Sequence, residues 1–180
     1  MFSEYDCTGI PAEKFEVRSW NPIEEAEKIM REYEERNSPL KIKVRKSNRA
    51  YYSPSGDYIV LPELKQYRRV EEFYSTAFHE ITHSTGHSSR LGRIATGLLS
   101  FGNEEYSREE LVAEIGSAMC LNRLGIDTQK SFRNSVAYIQ SWMRALQNDN
   151  KMIFWASSRA EAAVKFIFND KDGSEAPALA

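Results

Sequence analysis

All three histidines of the chain fall within nine residues of one another, in the run FHEITHSTGH. His79 and His83 are four apart, so on a helix their imidazoles leave one face about one turn apart and can converge on a single metal ion. Glu80 would stand beside that ion without binding it. A catalytic zinc site takes three protein ligands and keeps a further position for water, which becomes acidic near neutral pH. Glu80 is the group to take the water's proton and hand it to a leaving amine, the acid–base exchange that peptide hydrolysis needs.

The third ligand must come from further along. His83 is followed by Ser84-Thr85-Gly86-His87, a spacing too short for the third histidine of the extended HExxH patterns. The segment SREELVAEIGSAM puts Glu110 and Glu114 four apart on one helical face, beside the apolar Leu111, Ile115 and Ala118. Glu110 lies 27 residues after His83, which leaves room for a loop and a returning helix. It is the expected ligand, with Glu114 as the acid that orients a ligand histidine. The two roles can be exchanged, since Glu114 reads as the more deeply set of the pair. A capping box begun by Ser107 would also account for Glu110 without any metal.

Zinc is the default ion for two histidines and a carboxylate, and manganese or another divalent ion can take the same donors. A closed zinc site would use four cysteine-rich ligands, and Cys7 and Cys120 are badly placed for that. His87 is expected to be structural or to face the substrate, with metal binding the lesser alternative. Tyr52 and Tyr106 are candidate donors to an oxyanion.

Several elements must position these groups. Asn21 and Pro22 open a first helix whose Ile23, Ala26, Ile29, Met30 and Tyr33 repeat at helical spacing down to Arg36. Asn37-Ser38-Pro39 ends it. Leu40, Ile42 and Val44 then alternate with Lys41, Lys43 and Arg45, the pattern of a half-buried strand. With Lys46 and Arg49 this strand could meet nucleic acid, although lysines guarding a solvated edge explain it as well and are favoured.

Tyr51-Tyr52 and Tyr58 to Leu61 flank a turn-rich Ser53-Pro54-Ser55-Gly56-Asp57 and read as a hairpin, whose second strand could pair with an extended peptide. Val70 to Thr85 reads as the active helix, with Gly86 placed to end it. A loop follows over 87–106, then a helix capped by Ser107 that runs to Leu124-Gly125, and two more helices near 130–147 and 151–168. The expected architecture is α+β: a small, mainly antiparallel sheet packed on the active helix, with helices around it.

The 180 residues suit one domain over 1–170, with an extended lead-in at 1–20 and a frayed tail at 171–180. Hydrophobic residues make up 41%, enough for a core, and the net charge of −2 draws the protein neither to nucleic acid nor to a membrane. No run approaches a membrane span and the first residues lack a secretion signal, so the expected location is the cytoplasm. The two distant cysteines read as reduced thiols.

Three segments together, AYYSPSGDYIVLP, FHEITHSTGHSSRLGR and EEYSREELVAEIGSAM, resemble the metallopeptidase domain of ArdC-type antirestriction proteins. The resemblance covers roughly residues 1–125, including the opening FSEYDCTGIPAE. It implies a minimal fold similar to the ImmA/IrrE-like zincins, a helix pair with a small sheet. The family's motif histidines fall on His79 and His83, its glutamate base on Glu80 and its acidic motif on Glu109 to Glu114. A zinc peptidase carried by a mobile genetic element and acting in antirestriction is what the resemblance implies, with a protein or peptide as substrate. Single-stranded DNA would be bound by a preceding domain that this chain lacks. The alternative is a non-catalytic antirestriction module that binds DNA or protein and keeps a vestigial metal site.

Overall fold

The computed structural model describes residues 23–94, 104–126 and 151–170. Helix α1 spans Glu24–Arg36 and buries Ala26, Ile29, Met30 and Tyr33, the stripe read from the sequence. Three acids in its first turn, Glu24, Glu25 and Glu27, complement the positive end of the helix dipole. Asn37 closes it by donating from Nδ2 to the Tyr33 carbonyl at 2.7 Å.

Strands β1 (Lys41–Arg45), β2 (Tyr51–Ser53) and β3 (Tyr58–Pro62) follow, and β3 lies in the middle of the sheet. The hairpin forms as expected, with Tyr52 opposite Ile59. The sheet is nevertheless mixed and not mainly antiparallel, because β1 pairs parallel with β3 over five residues. A parallel partner needs a crossover, and β2 supplies it by passing to the far side of β3. The strand expected to offer an open edge, Tyr58–Leu61, falls in β3 and is therefore paired on both sides, and among the described residues the edges are β1 and β2.

Ile59 and Leu61 point to the helices and are fully buried, with Ile42 and Tyr52 packed partly against the same cluster. Strand β1 emerges from that cover along its length: Leu40 just before it is 0% exposed, while Val44 is 51% exposed. Its cations are engaged on the outer side. Lys41 pairs with Glu34 at 3.1 Å, Lys43 lies 4.2 Å from the Tyr58 ring centroid and Arg45 donates to the Tyr51 hydroxyl. The guarded-edge reading accounts for this arrangement.

Helix α2 occupies Val70–Thr85, the span read from the sequence. One side of it, Phe73, Tyr74, Ala77, Phe78 and Ile81, enters the main core with α1 and the sheet, where burying a side chain such as Phe78 contributes about 1.5–3 kcal/mol. Gly86 ends the helix, but not through a left-handed cap, since its φ is −75°. A Cβ there would lie 2.7 Å from Ile94, so glycine lets the following loop fold back on the helix.

Helix α3 (Glu104–Arg123) begins one turn earlier than expected, so Ser107 lies inside it and not at its start. Gly125, with φ +65°, makes the left-handed ending after α3. Helix α4 (Lys151–Phe168) lies against α3 through a second cluster of Leu111, Val112, Met152, Ala156 and Ala160. The helix expected near 130–147, the lead-in at 1–20, the tail at 171–180 and Cys7 lie outside the described residues. Cys120 is buried as a free thiol. Among the described residues no helix is long and apolar enough to cross a membrane.

Candidate metal centre

Helix α2 is held between two layers, and its histidine face meets α3. His79 and His83 bring their Nε2 atoms within 3.1 Å of each other. Across the helix gap, Glu110 Oε1 is 3.3 Å from His83 Nε2 and Oε2 is 3.7 Å from His79 Nε2. One donor atom from each of the three lies within 4.8 Å of the others. Metal–ligand bonds of about 2.0–2.1 Å at tetrahedral angles place donor atoms roughly 3.3–3.4 Å apart, so this donor set fits a divalent ion with little movement.

Behind each imidazole stands an acid. Glu114 Oε1 is 3.5 Å from His79 Nδ1, and Glu109 Oε1 is 3.4 Å from His83 Nδ1. Contacts of this kind fix which ring nitrogen faces a metal. The geometry brings Glu110 to the donor side and Glu114 to the far nitrogen of His79. Glu114 is also the more open of the two, at 28% side-chain exposure against 13%, so it is not the more deeply set of the pair.

Sequence reasoning did not single out Glu109 as the acid behind His83. It is the most enclosed acid of the site, with a 7% exposed side chain. Nor did it find Arg93, which donates to both Glu109 oxygens at 2.9 and 3.2 Å, to Thr85 Oγ1 and to the Thr82 carbonyl. The guanidinium fork neutralises a carboxylate that would be costly to bury alone. The only trace of it in the sequence is the arginine pair of SSRLGR.

The electrostatics follow from this enclosure. Burial, and then the neighbouring His83, push His79 down to about 3. Burial works against His83 as well, but the Glu109 and Glu110 carboxylates outweigh it and raise His83 to about 10. Of the two imidazoles, His83 is the one whose surroundings favour positive charge. Burial would raise Glu110, yet its contacts to His83 hold it below the usual carboxylate range. Burial and Glu110 together raise Glu114. Burial lifts Glu80 to about 7, against the opposing positive charge of His83. A carboxyl poised near neutrality suits a group that must accept and then give a proton.

The other candidates sort themselves by contact. His87 Nδ1 is bound to Ser89, through the hydroxyl at 2.7 Å and the backbone N–H at 3.2 Å, and shapes the loop. The Tyr52 hydroxyl donates to Asp57 at 2.9 Å and accepts from Arg90 at 3.1 Å, so it is not aimed at the site. Tyr106 is beside Glu110 and contributes to holding its carboxylate low.

Against known families, residues 24–159 match the description of a zincin-like metallopeptidase, MPTase-PolyVal. The chain belongs to the zincin-like metallopeptidase family. Relatives of this zincin-like chain include two Escherichia coli proteins named DNA primase TraC. They are 36% and 38% identical over 167 and 168 residues, each match covering 93% of the chain. The chain spans only 15% and 11% of their lengths. The y4eC protein of Sinorhizobium fredii (strain NBRC 101917 / NGR234) is 35% identical over 114 residues, 63% of this chain and 36% of that protein.

Among solved structures, the antirestriction protein ArdC of plasmid R388 matches in two states. The Mn(II)-bound form gives a TM-score of 0.68 at 32% identity, covering 93% of the chain and 59% of ArdC. The metal-free form gives 0.62 at 33%, covering 87% and 54%. The zincin-like fold of this chain, like that Mn(II)-bound relative, implies a divalent metal.

Proposed function

We propose that the chain is a zinc-dependent peptidase in which His79, His83 and Glu110 hold the ion and Glu80 is the general base. The observation that carries this is the convergence of three donor atoms with Glu80 alongside, enclosed by two acids that orient the imidazoles. When bound, a divalent ion supplies an acidified water and polarises the scissile carbonyl. Glu109 and Glu114 hold the Nδ1 sides of the two imidazoles, so that both Nε2 atoms stay turned to the ion. Glu80 accepts a proton as the nucleophile attacks, and the same carboxyl returns it to the departing amine.

The substrate of this reading is a protein or peptide in the cytoplasm, and the setting is defence of a mobile genetic element against restriction. The likeness to ArdC of plasmid R388 supports that setting. Manganese is an ion the same donors accept.

The decisive experiment compares metal content and proteolysis in wild type, His83→Ala, Glu110→Ala and Glu80→Gln. Near-stoichiometric zinc should be present in wild type and Glu80→Gln and lost from the other two, while Glu80→Gln cuts nothing. Proteolysis retained by Glu80→Gln removes this mechanism.

A second reading is a non-catalytic module that engages DNA or a restriction protein. It is favoured by the names of the relatives, a DNA primase and an antirestriction protein, of which the chain matches only part. Salt-sensitive binding to single-stranded DNA that survives loss of His79 and His83 supports it over the first.

A further inference from the structure

Arg93 bridges the two helices that carry the donor set. Its side chain is 8% exposed, and its nitrogens divide between α2 and α3. Toward α2, Nη1 donates to Thr85 Oγ1 and Nη2 to the Thr82 carbonyl, both at 2.9 Å. Toward α3, Nη2 also donates to Glu109 Oε1 at 2.9 Å and Nε to Glu109 Oε2 at 3.2 Å. The side chain reaches both helices because the loop after Gly86 doubles back on α2. There the Leu91 N–H donates to the Thr85 carbonyl at 2.9 Å and the Ile94 N–H to the Gly86 carbonyl at 2.8 Å.

Glu109 passes this hold on to His83. Its Oε1 accepts from Arg93 Nη2 and lies 3.4 Å from His83 Nδ1. The His83 ring is thus backed on the side away from its Nε2, which has His79 Nε2 at 3.1 Å and Glu110 Oε1 at 3.3 Å. A glutamate side chain is long and freely jointed, and a single contact to an imidazole leaves it able to swing. Two hydrogen bonds from a planar guanidinium fix the carboxylate's plane as well as its place.

Two plainer roles fall short of this arrangement. Closing the end of a helix is ordinary work for a basic side chain, and it accounts for the bonds to Thr82 and Thr85 but not for the paired bonds to Glu109. Neutralising a buried carboxylate needs a cation, which a lysine would supply without the fork. A buried ion pair also adds little net stability, because desolvation offsets the attraction. What the fork adds is orientation.

We infer that Arg93 is a positioning residue of the metal centre, which through Glu109 holds the His83 imidazole with Nε2 turned to the ion. This rests on the part of the proposed reading in which His79, His83 and Glu110 hold the metal. None of the four hydrogen bonds of Arg93 goes to a donor of that set, so its effect on the ion is exerted through Glu109.

The test compares the full chain as wild type, Arg93→Lys, Glu109→Gln and their double variant. Zinc affinity is read by chelator competition, and visible absorption of the cobalt(II)-loaded chains reports the geometry of the ligands. Amide exchange at Leu91 and Ile94 follows the loop. Arg93→Lys keeps the charge and loses the fork, and it should weaken zinc by about 10-fold or more, as outer partners of metal ligands do. Its cobalt spectrum should shift in the same sense as that of Glu109→Gln. The double variant should bind zinc no more weakly than Glu109→Gln alone, as expected of residues acting in series.

Unchanged affinity and spectrum in Arg93→Lys overturn the positioning role. So do losses that add in the double variant, which would mean that Arg93 acts by supporting the loop, with faster exchange at Leu91 and Ile94 beside it. If the wild type takes up neither ion, the metal reading fails by itself. The hold on His83 is then judged in the metal-free chain: NMR signals of the His83 ring displaced in both single variants uphold it, and signals unchanged in Arg93→Lys overturn it.

Discussion

His83 has a carboxylate on each side, and the two act differently. Glu110 shares the Nε2 side with His79, where a metal fits, while Glu109 backs Nδ1 and is itself gripped by Arg93. Removing the acid behind a ligand histidine costs about 10–100-fold in metal affinity, so Glu109→Gln should weaken zinc by that amount in a chelator competition. Glu114→Gln should weaken it less, because Glu114 is more exposed and, among the described residues, no arginine anchors it. At this scale the sequence was informative where chemistry and spacing coincide. His79, Glu80 and His83 are local in the chain, and a four-residue step on a helix translates directly into convergence. Glu109 was passed over in favour of the evenly spaced Glu110 and Glu114, although it is the residue on which the buried charge depends. Arg93 lies in a loop with no period to mark it, and only the folding back of that loop onto α2 gives it a partner.

The contact between α2 and α3 turns on Gly116. A Cβ there would stand 2.6 Å from Thr82 Cγ2 and 3.0 Å from Thr82 Oγ1, so the helices can approach this closely only over a glycine. Ser117 strengthens the crossing by donating to the Ser75 carbonyl at 2.8 Å. Gly116→Ala should push the helices apart, destabilising the chain by about 1–3 kcal/mol through overpacking and weakening zinc by opening the ligand set. Adding Thr82→Ser removes the methyl in the way and should recover most of both losses, as judged by denaturant unfolding and zinc titration. Helix α2 was legible end to end because its apolar stripe is regular and long. Strand sense was not, because the choice of neighbours in a sheet depends on crossovers that pattern and turn chemistry do not encode. The start of α3 was placed late because Ser107 resembles a cap, while the helix already runs from Glu104.

For the molecule as a whole, the proposed ion would tie α2 to α3 across 27 residues of chain, from His83 to Glu110. A ligand that binds only the folded state stabilises it by about 2.7 kcal/mol when free ligand is 100 times its dissociation constant. Zinc should therefore raise the thermal midpoint of wild type, chelation should lower it, and both effects should vanish in His83→Ala. The crossing at Gly116 has one more meaning. The carboxylates of α3 recur at Glu110 and Glu114, and the imidazoles of α2 at His79 and His83, so the two helices carry ladders of equal step. Sliding α3 by four residues, about 6 Å, would offer Glu114 at the height where Glu110 now stands, which is the same exchange of roles that the sequence left open. The ladders are degenerate, and the register is chosen elsewhere: by a notch that admits Thr82 at one height only, and by the hold of Arg93 on Glu109.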